Sequence, residues 1–188
     1  MIDFDKETHT YTVDGVVYPS VTQVIGEAGM YGSAAAYWDD HSRDRGSNVH
    51  KAIELYHRGT LDMNALDPVI MPYMKAWLSF LDVSNFYPSM IEHRLYNTGV
   101  MVAGTADMIG PVKDGAAIID IKTGAPGPAA AIQLAGYEFL YGAAQRIVVQ
   151  LKKDGKFKCH YYTDRHDRDV FLSAVSVYHW RKANVKGG

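Results

Sequence analysis

The stretch GTADMIGPVKDGAAIIDIKTGAPGPAAAIQLAGY, Gly104 to Tyr137, carries the reading on which the fold turns. Its apolar residues recur with a period of two on either side of Lys113-Asp114-Gly115, a turn signal. Followed outward, the same period gives strands at about Met90 to Asn97, Val100 to Ile109 and Ala116 to Lys122, with a first turn near Thr98-Gly99. That is a three-stranded antiparallel meander. Side chains two apart on a strand share a face, so Asp120 and Lys122 point together while Ile119 and Ile121 enter the core on the opposite side. The turn at Lys113 to Gly115 brings the preceding strand, with Asp107, opposite the residues around Asp120.

Downstream, Pro128 to Gly142 reads as a helix with Gln133 and Tyr137 four apart on one face. Taken alone, that face is as well explained by an ordinary amphipathic helix with a half-buried tyrosine. Strands Arg146 to Lys152 and Lys156 to Tyr162 follow around Asp154-Gly155, then a closing helix from about Asp167 to Ala183 and a frayed tail from Lys186. Upstream, His9 to Tyr18 alternates around Asp14-Gly15 as a hairpin of two strands, and Ser20 caps a helix over Val21 to Ala28. Between Gly32 and Gly59 the spacing of Ala34, Ala35, Ala36, Trp38, Val49, Ala52, Ile53 and Tyr56 gives two consecutive helices interrupted at Asp44 to Gly46, the second carrying His50. A further helix from about Asp67 to Leu81 presents Ile70, Tyr73, Met74, Trp77, Leu78 and Leu81.

The fold class is therefore α/β: a central mixed sheet containing the meander, flanked by helices, with an N-terminal hairpin and helices before it. At 188 residues and 47% apolar content the chain suits one domain, an N-terminal part over 1–88 and a core over 89–185. No run of about 18 apolar residues is present and the start is neither a basic signal nor an Arg-rich transit peptide, so a soluble, cytoplasmic protein with no membrane partner is expected. The single cysteine, Cys159, excludes an internal disulfide and any four-cysteine zinc or iron-sulfur site from this chain alone. It reads as a small apolar residue in a strand.

The net charge of −2 hides an asymmetry. Residues 145–188 carry four acids against ten bases, and 1–64 carry ten acids against five bases. Lys152, Lys153, Lys156, Lys158, Arg165, Arg168, Arg181 and Lys182 either line a groove that follows a nucleic-acid backbone or cover a solvated hairpin and helix.

Two carboxylates as close as Asp107 and Asp120 repel, and a divalent cation relieves the repulsion. Mg²⁺ prefers such oxygen ligands, and Mn²⁺ accepts the same set plus an imidazole, which His50 could supply. A lone helical histidine is by itself more often structural. One or two such ions suit phosphodiester hydrolysis, polarising a phosphoryl oxygen and lowering the pKa of a bound water. Lys122 would hold or deprotonate that water, or stabilise charge at phosphorus.

Together these residues resemble the PD-(D/E)xK nuclease superfamily, and within it the RecB-like exonuclease branch. The matching pieces are Arg45-Gly46-Ser-Asn-Val-His50, Glu92 in Ile-Glu-His-Arg-Leu, Gly104-Thr-Ala-Asp107, Ile119-Asp120-Ile121-Lys122-Thr123 and Gln133-Leu-Ala-Gly-Tyr137, in the family's order. Tyr18-Pro-Ser-Val-Thr22 also looks like the start of phage-encoded and mitochondrial genome-maintenance members. A lone Asp-X-Lys is weak evidence; the ordered set is strong. The resemblance implies a restriction-endonuclease-like core, metal ligands at His50, Asp107, Asp120 and the main-chain carbonyl of Ile121, a catalytic Lys122, and Glu92 as a further acid of the site. It implies substrate contacts at Gln133, Tyr137 and Arg45, with Lys152 and Lys153 in the basic region. Glu54, one helical turn past His50, is a weak candidate to approach the metal or orient the histidine.

The implied activity is Mg²⁺- or Mn²⁺-dependent exonuclease action on a single-stranded or duplex DNA end, in recombination, repair or phage replication. With no Walker motif, unwinding would need a helicase partner, and a strand-annealing partner is the other candidate. Tyr31, Trp38, Tyr87, Tyr161 and Tyr162 are candidate base-stacking residues. The alternatives are an endonuclease of the same fold, a non-catalytic DNA-binding module, and an RNA or nucleotide substrate.

Overall fold

The computed structural model of the chain describes residues 1–32 and 40–185. Trp38, the Ala34 to Ala36 part of the helical pattern and the Lys186 tail lie outside the described residues. Asp14 and Gly15 adopt positive φ, 49° and 83°, as a tight hairpin turn requires. They join β2 (Thr10–Val13) to β3 (Val16–Tyr18), and a strand the sequence did not suggest, β1 (Ile2–Asp5), pairs antiparallel with β2. Its four residues, two of them acidic, are too few to show a period; Phe4 holds it by stacking on Tyr11 at 4.4 Å.

Helix α1 (Val21–Glu27) starts at a reciprocal cap. Ser20 Oγ accepts the Gln23 N–H at 3.0 Å, and Gln23 Oε1 accepts the Ser20 N–H at 2.8 Å.

Two helix expectations need correcting. Helix α2 (Asp40–His57) runs through Asp44 to Gly46 without interruption. The Arg43-Asp44-Arg45-Gly46 run carries no apolar period, and a helical glycine costs about 1 kcal/mol. Burial of Val49, Ala52 and Ile53 further along the same helix outweighs that cost. Helix α3 (Met71–Ser84) starts four residues later than expected: Asp67 instead folds a turn by accepting the Val69 N–H at 2.7 Å, and Pro72 sits in the first helical turn, where no N–H is needed. It runs on to Asn85, a left-handed C-cap at φ 52°.

The central sheet consists of β4 (Met90–Asn97), β5 (Val102–Val112), β6 (Gly115–Lys122), β7 (Gln145–Leu151) and β8 (Phe157–Tyr162), paired in that order. Helix α4 (Ala129–Tyr141) connects β6 to β7, which run parallel; every other pairing in the sheet is antiparallel. Helix α5 (His166–Asn184) closes the chain. The sheet is thus mixed, with the expected meander as its β4-β5-β6 part. Among the described residues, no helix is long and apolar enough to cross a membrane.

Alternation along β6 and β7 sorts the core into two layers. Ile119, Ile121, Ile147, Val149 and Leu151 pack with residues of α2 and α3, whereas Ile118 and Val148 pack with residues of α1, α4 and α5. Asp120 and Lys122 share the parity of Ile118 and therefore face the α1, α4 and α5 side.

In β5 the alternation changes phase. Val102, Ala106 and Ile109 all join the α1-α4-α5 layer while Met108 joins the other, so the shift falls at Asp107. Directly across the β4–β5 ladder, between the pairs Ile91↔Met108 and His93↔Ala106, stands Glu92 with φ 48°. Pairing of β5 with β6 begins at Met108. The strands part where the carboxylates are.

Glycines let α4 approach. A Cβ on Gly104 would lie 2.8 Å from Tyr137 Cε1, and one on Gly136 would lie 2.8 Å from Val21 and 2.9 Å from Phe171. Gly104→Ala should therefore push Tyr137 off the sheet and destabilise the protein by about 1–3 kcal/mol in urea unfolding, as overpacked cores do.

Candidate active site

Asp120 is only 3% exposed. Its Oδ1 accepts hydrogen bonds from Lys122 Nζ at 2.9 Å and Gln133 Nε2 at 3.1 Å; Lys122 Nζ also lies 2.8 Å from Oδ2, outside hydrogen-bonding alignment. Gln133 Nε2 in turn lies 3.3 Å from the Tyr137 hydroxyl, which accepts from it. The helical spacing of Gln133 and Tyr137 becomes a relay that holds one oxygen of Asp120. Oδ2 of Asp120 and Nε of Arg45 are the buried side-chain polar atoms, among the described residues, that lack a hydrogen-bond partner.

Asp107 Oδ2 accepts the Ile121 N–H at 2.7 Å, and the His50 Nδ1 lies 3.5 Å from the same oxygen. His50 Nε2 donates to the Ile121 carbonyl at 2.8 Å. One residue of β6 thus fixes both an acid of β5 and a histidine of α2. The carbonyl keeps a second lone pair. Glu92 completes the group: one ligand atom from each of His50, Glu92 and Asp107 lies within 4.8 Å of the others.

The electrostatics follow from burial and count. Burial opposes charge on His50, but Asp107, by charge and hydrogen bond, and then Asp120 outweigh it and raise its pKa to about 9. Burial likewise works to raise Asp107, and the His50 charge and hydrogen bond, Lys122 and the Ile121 N–H bring it below the usual carboxylate range. Burial raises Asp120 against the pull of Lys122. Lys122 is raised, burial being outweighed by Asp120 and Asp107, so it is an ammonium. Burial, the Asp107 charge and Glu54 push Glu92 up to about 7.

The expected residues fall into four groups. His50, Glu92, Asp107, Asp120, Ile121, Lys122, Gln133 and Tyr137 come together. Arg45 lies beside them, its guanidinium 5.8 Å from the Tyr73 ring, in a cleft shared with Lys122, Thr123 and Gly124. Lys152 and Lys153 stand beyond β7, at the turn into β8, outside the cluster. Glu54 is engaged elsewhere, 2.8 Å from Lys51 and 3.0 Å from Arg58, and His50 is oriented by Asp107 and Ile121 instead.

The sequence reading missed the wall built by the N-terminal sheet. A cavity of about 330 Å³ reaches from Glu92 and Tyr137 to Lys6, His9, Arg58 and Arg94, and a second, lined by Thr22, Gln23 and Tyr31, reaches Lys122 from the other side. The cap at Ser20, the likeness at Tyr18-Pro-Ser-Val-Thr22 and the reading of Tyr31 as a stacking residue touched this segment without placing it at the site.

No protein-family model and no curated protein matches the sequence. Among solved structures, the chain is similar to a protein from Eubacterium rectale named "Putative exonuclease", with a TM-score of 0.61 and 13% identity over 89% of this chain and 80% of that one. It is also similar to an alkaline exonuclease from Laribacter hongkongensis, with a TM-score of 0.44 and 15% identity over 88% of this chain and 93% of the other. At 13% identity, the first likeness shows a shared fold and nothing about activity.

The raised pKa of Glu92 has a thermodynamic consequence in metal-free protein. Between the unfolded value of 4.5 and the folded value of about 7 the folded state binds more protons, so stability falls as pH rises through that window. His50, raised from 6.5 to about 9, extends the fall to higher pH. Glu92→Gln should therefore raise the metal-free Tm at pH 8, by about 2–4 °C for each kcal/mol relieved, and flatten its dependence between pH 5 and 7. A Tm profile parallel to wild type would show that Glu92 carries no such load.

Proposed function

We propose that the protein is a divalent-metal-dependent deoxyribonuclease of the PD-(D/E)xK type that hydrolyses phosphodiester bonds from a DNA end. The observation that carries this reading is the convergence, from α2, β4, β5 and β6, of His50, Glu92, Asp107, Asp120 and Lys122 on the point where β5 and β6 part. Ligand atoms of His50, Glu92 and Asp107 lie within 4.8 Å of one another, and three acids there face one histidine and one lysine. That is the deficit a hard cation would fill.

The residues present fit Mg²⁺ or Mn²⁺. His50, Asp107, Asp120 and the Ile121 carbonyl would hold it, with Glu92 alongside. Such an ion supplies Lewis acidity at a phosphoryl oxygen and a bound water of lowered pKa. Lys122, as an ammonium, donates a hydrogen bond to the attacking water or to a phosphoryl oxygen as charge grows there. Gln133, backed by Tyr137, keeps Asp120 from turning toward solvent. Arg45, which lines a cleft with Lys122, Thr123 and Gly124, is placed to meet a phosphate there.

Action from an end is supported by the family resemblance. The resemblance also supports a role in DNA recombination, repair or phage replication.

Purified protein with Mg²⁺ or Mn²⁺ should degrade end-labelled linear DNA, leave a nick-free circle intact, and stop when the metal is chelated. Lys122→Ala and Asp120→Ala should each lower the rate by about a hundredfold or more while still binding DNA. Undiminished digestion by either variant would sink the assignment, and cleavage of the circle would make the enzyme an endonuclease of the same fold.

A further inference from the structure

We infer that the sheet face running outward from Lys122 across β7 and β8 is a track for one DNA strand, held through its phosphates; this deepens the nuclease reading and rests on it. The register places the residues. Lys122 is opposite Gln150, and Gln150 is opposite Lys158; Asp120 is opposite Val148, and Val148 is opposite His160; Arg146 is opposite Tyr162. Opposed residues share a face, so Gln150, Lys158, His160 and Tyr162 stand on the same side of the sheet as Asp120 and Lys122. The hydrogen bond between His160 Nε2 and Gln150 Oε1, 3.0 Å, spans that face diagonally.

Lys152, the first residue beyond β7, keeps the ladder by donating its N–H to the Lys156 carbonyl and continues the alternation to the same side. From Lys122 to Lys158 is two strand spacings, about 10 Å.

The surface is open and uncompensated. Lys158 is exposed, and Gln150, Lys152 and His160 are half-buried. Neither Lys152 nor Lys158 makes an ion pair among the described residues. Along the opposed rows of β6, β7 and β8 the one acid on this face is Asp120 itself. Other cations of the basic last quarter are committed elsewhere: Arg146 to Glu138 and Asp167, Arg181 to the Glu27 carbonyl, and Lys182 to the Glu27 carboxylate. Of the paired tyrosines, Tyr162 shares the track face and Tyr161 has the opposite parity.

A strip up to three strands wide, with lysines and the Gln150 amide on one face, matches a single extended phosphodiester chain. It joins the catalytic cluster at Lys122 without a break.

The test is fluorescence anisotropy with a labelled single-stranded 12-mer, on the full chain in EDTA, as a function of salt. Lys152→Gln/Lys158→Gln should weaken binding by about tenfold and reduce the salt slope by about 1.4, since each lost single-strand phosphate contact removes about 0.7. Lys75→Gln/Lys113→Gln removes two cations outside the strip, on α3 and on the β5–β6 turn, and should change neither quantity. Wild-type affinity and slope in the track variant, or an equal loss in the control, would overturn the proposal. Because the assay reads binding without metal or cleavage, failure of the track leaves the nuclease reading standing, and failure of cleavage leaves the track to be judged on binding alone.

Discussion

The carboxylates of Asp107 and Asp120 lie on neighbouring strands, largely out of water, and much of the surrounding structure serves to bring donors and cations to their oxygens. An ionised acid in such a place is costly unless its oxygens are met by donors or cations. Each meets a different solution. Asp107 receives a backbone N–H from β6 and a histidine from α2, while Asp120 receives an ammonium from its own strand and an amide from α4. Four elements are therefore positioned by two charges. Glu92 adds a third acid that makes no ion pair among the described residues, and that surplus of carboxylates is what the proposed cation would meet.

Backbone geometry makes this crowding possible. A regular antiparallel pair would send alternate residues of β5 to fixed faces, and Asp107 could not serve the β6 backbone while its neighbours kept both core layers filled. The phase shift at Asp107, opposite a left-handed Glu92, resolves the conflict locally. A non-glycine residue at positive φ costs on the order of 1–3 kcal/mol and persists where surrounding contacts over-determine it. Here burial on both sides of the bend supplies those contacts, so the strain sits beside the proposed chemistry and not in the core.

Most of the architecture was legible because the sheet and its turns obey local rules. Alternation set β4 at Met90 to Asn97, and Asp-Gly pairs marked three hairpins. The meander and the facing of Asp120 with Lys122 followed from parity alone. What was hidden depends on tertiary contact. The continuity of α2 across Arg43 to Gly46 comes from packing at Val49 and Ile53, which a local scan of charged residues cannot register. The bend at Glu92 has no signature in Ile-Glu-His-Arg-Leu, since the same letters suit a straight strand. Charge counting marked the last quarter as basic but could not divide Lys152 and Lys158, on the face of Lys122, from Arg146 and Lys182, which are bonded to acids.

The N-terminal sheet shows how the remaining wall of the site is made. Ala103 N–H bonds the Pro19 carbonyl at 3.0 Å, and the Tyr11 hydroxyl lies 2.7 Å from Thr105 Oγ1, so the small sheet is tied to β5 on both sides of Gly104. Gly104 is also where Tyr137 of α4 comes closest. The absence of one side chain thus lets the hairpin, α1 and α4 meet at a single point of β5. From that point Thr22, Gln23 and Tyr31 extend to one side of Lys122, and Lys6, Arg58 and Arg94 to the side of Glu92. A cleft walled in this way excludes part of the solvent and strengthens each charge interaction within it. The N-terminal residues therefore help to set the dielectric in which Asp107, Asp120 and Lys122 sit.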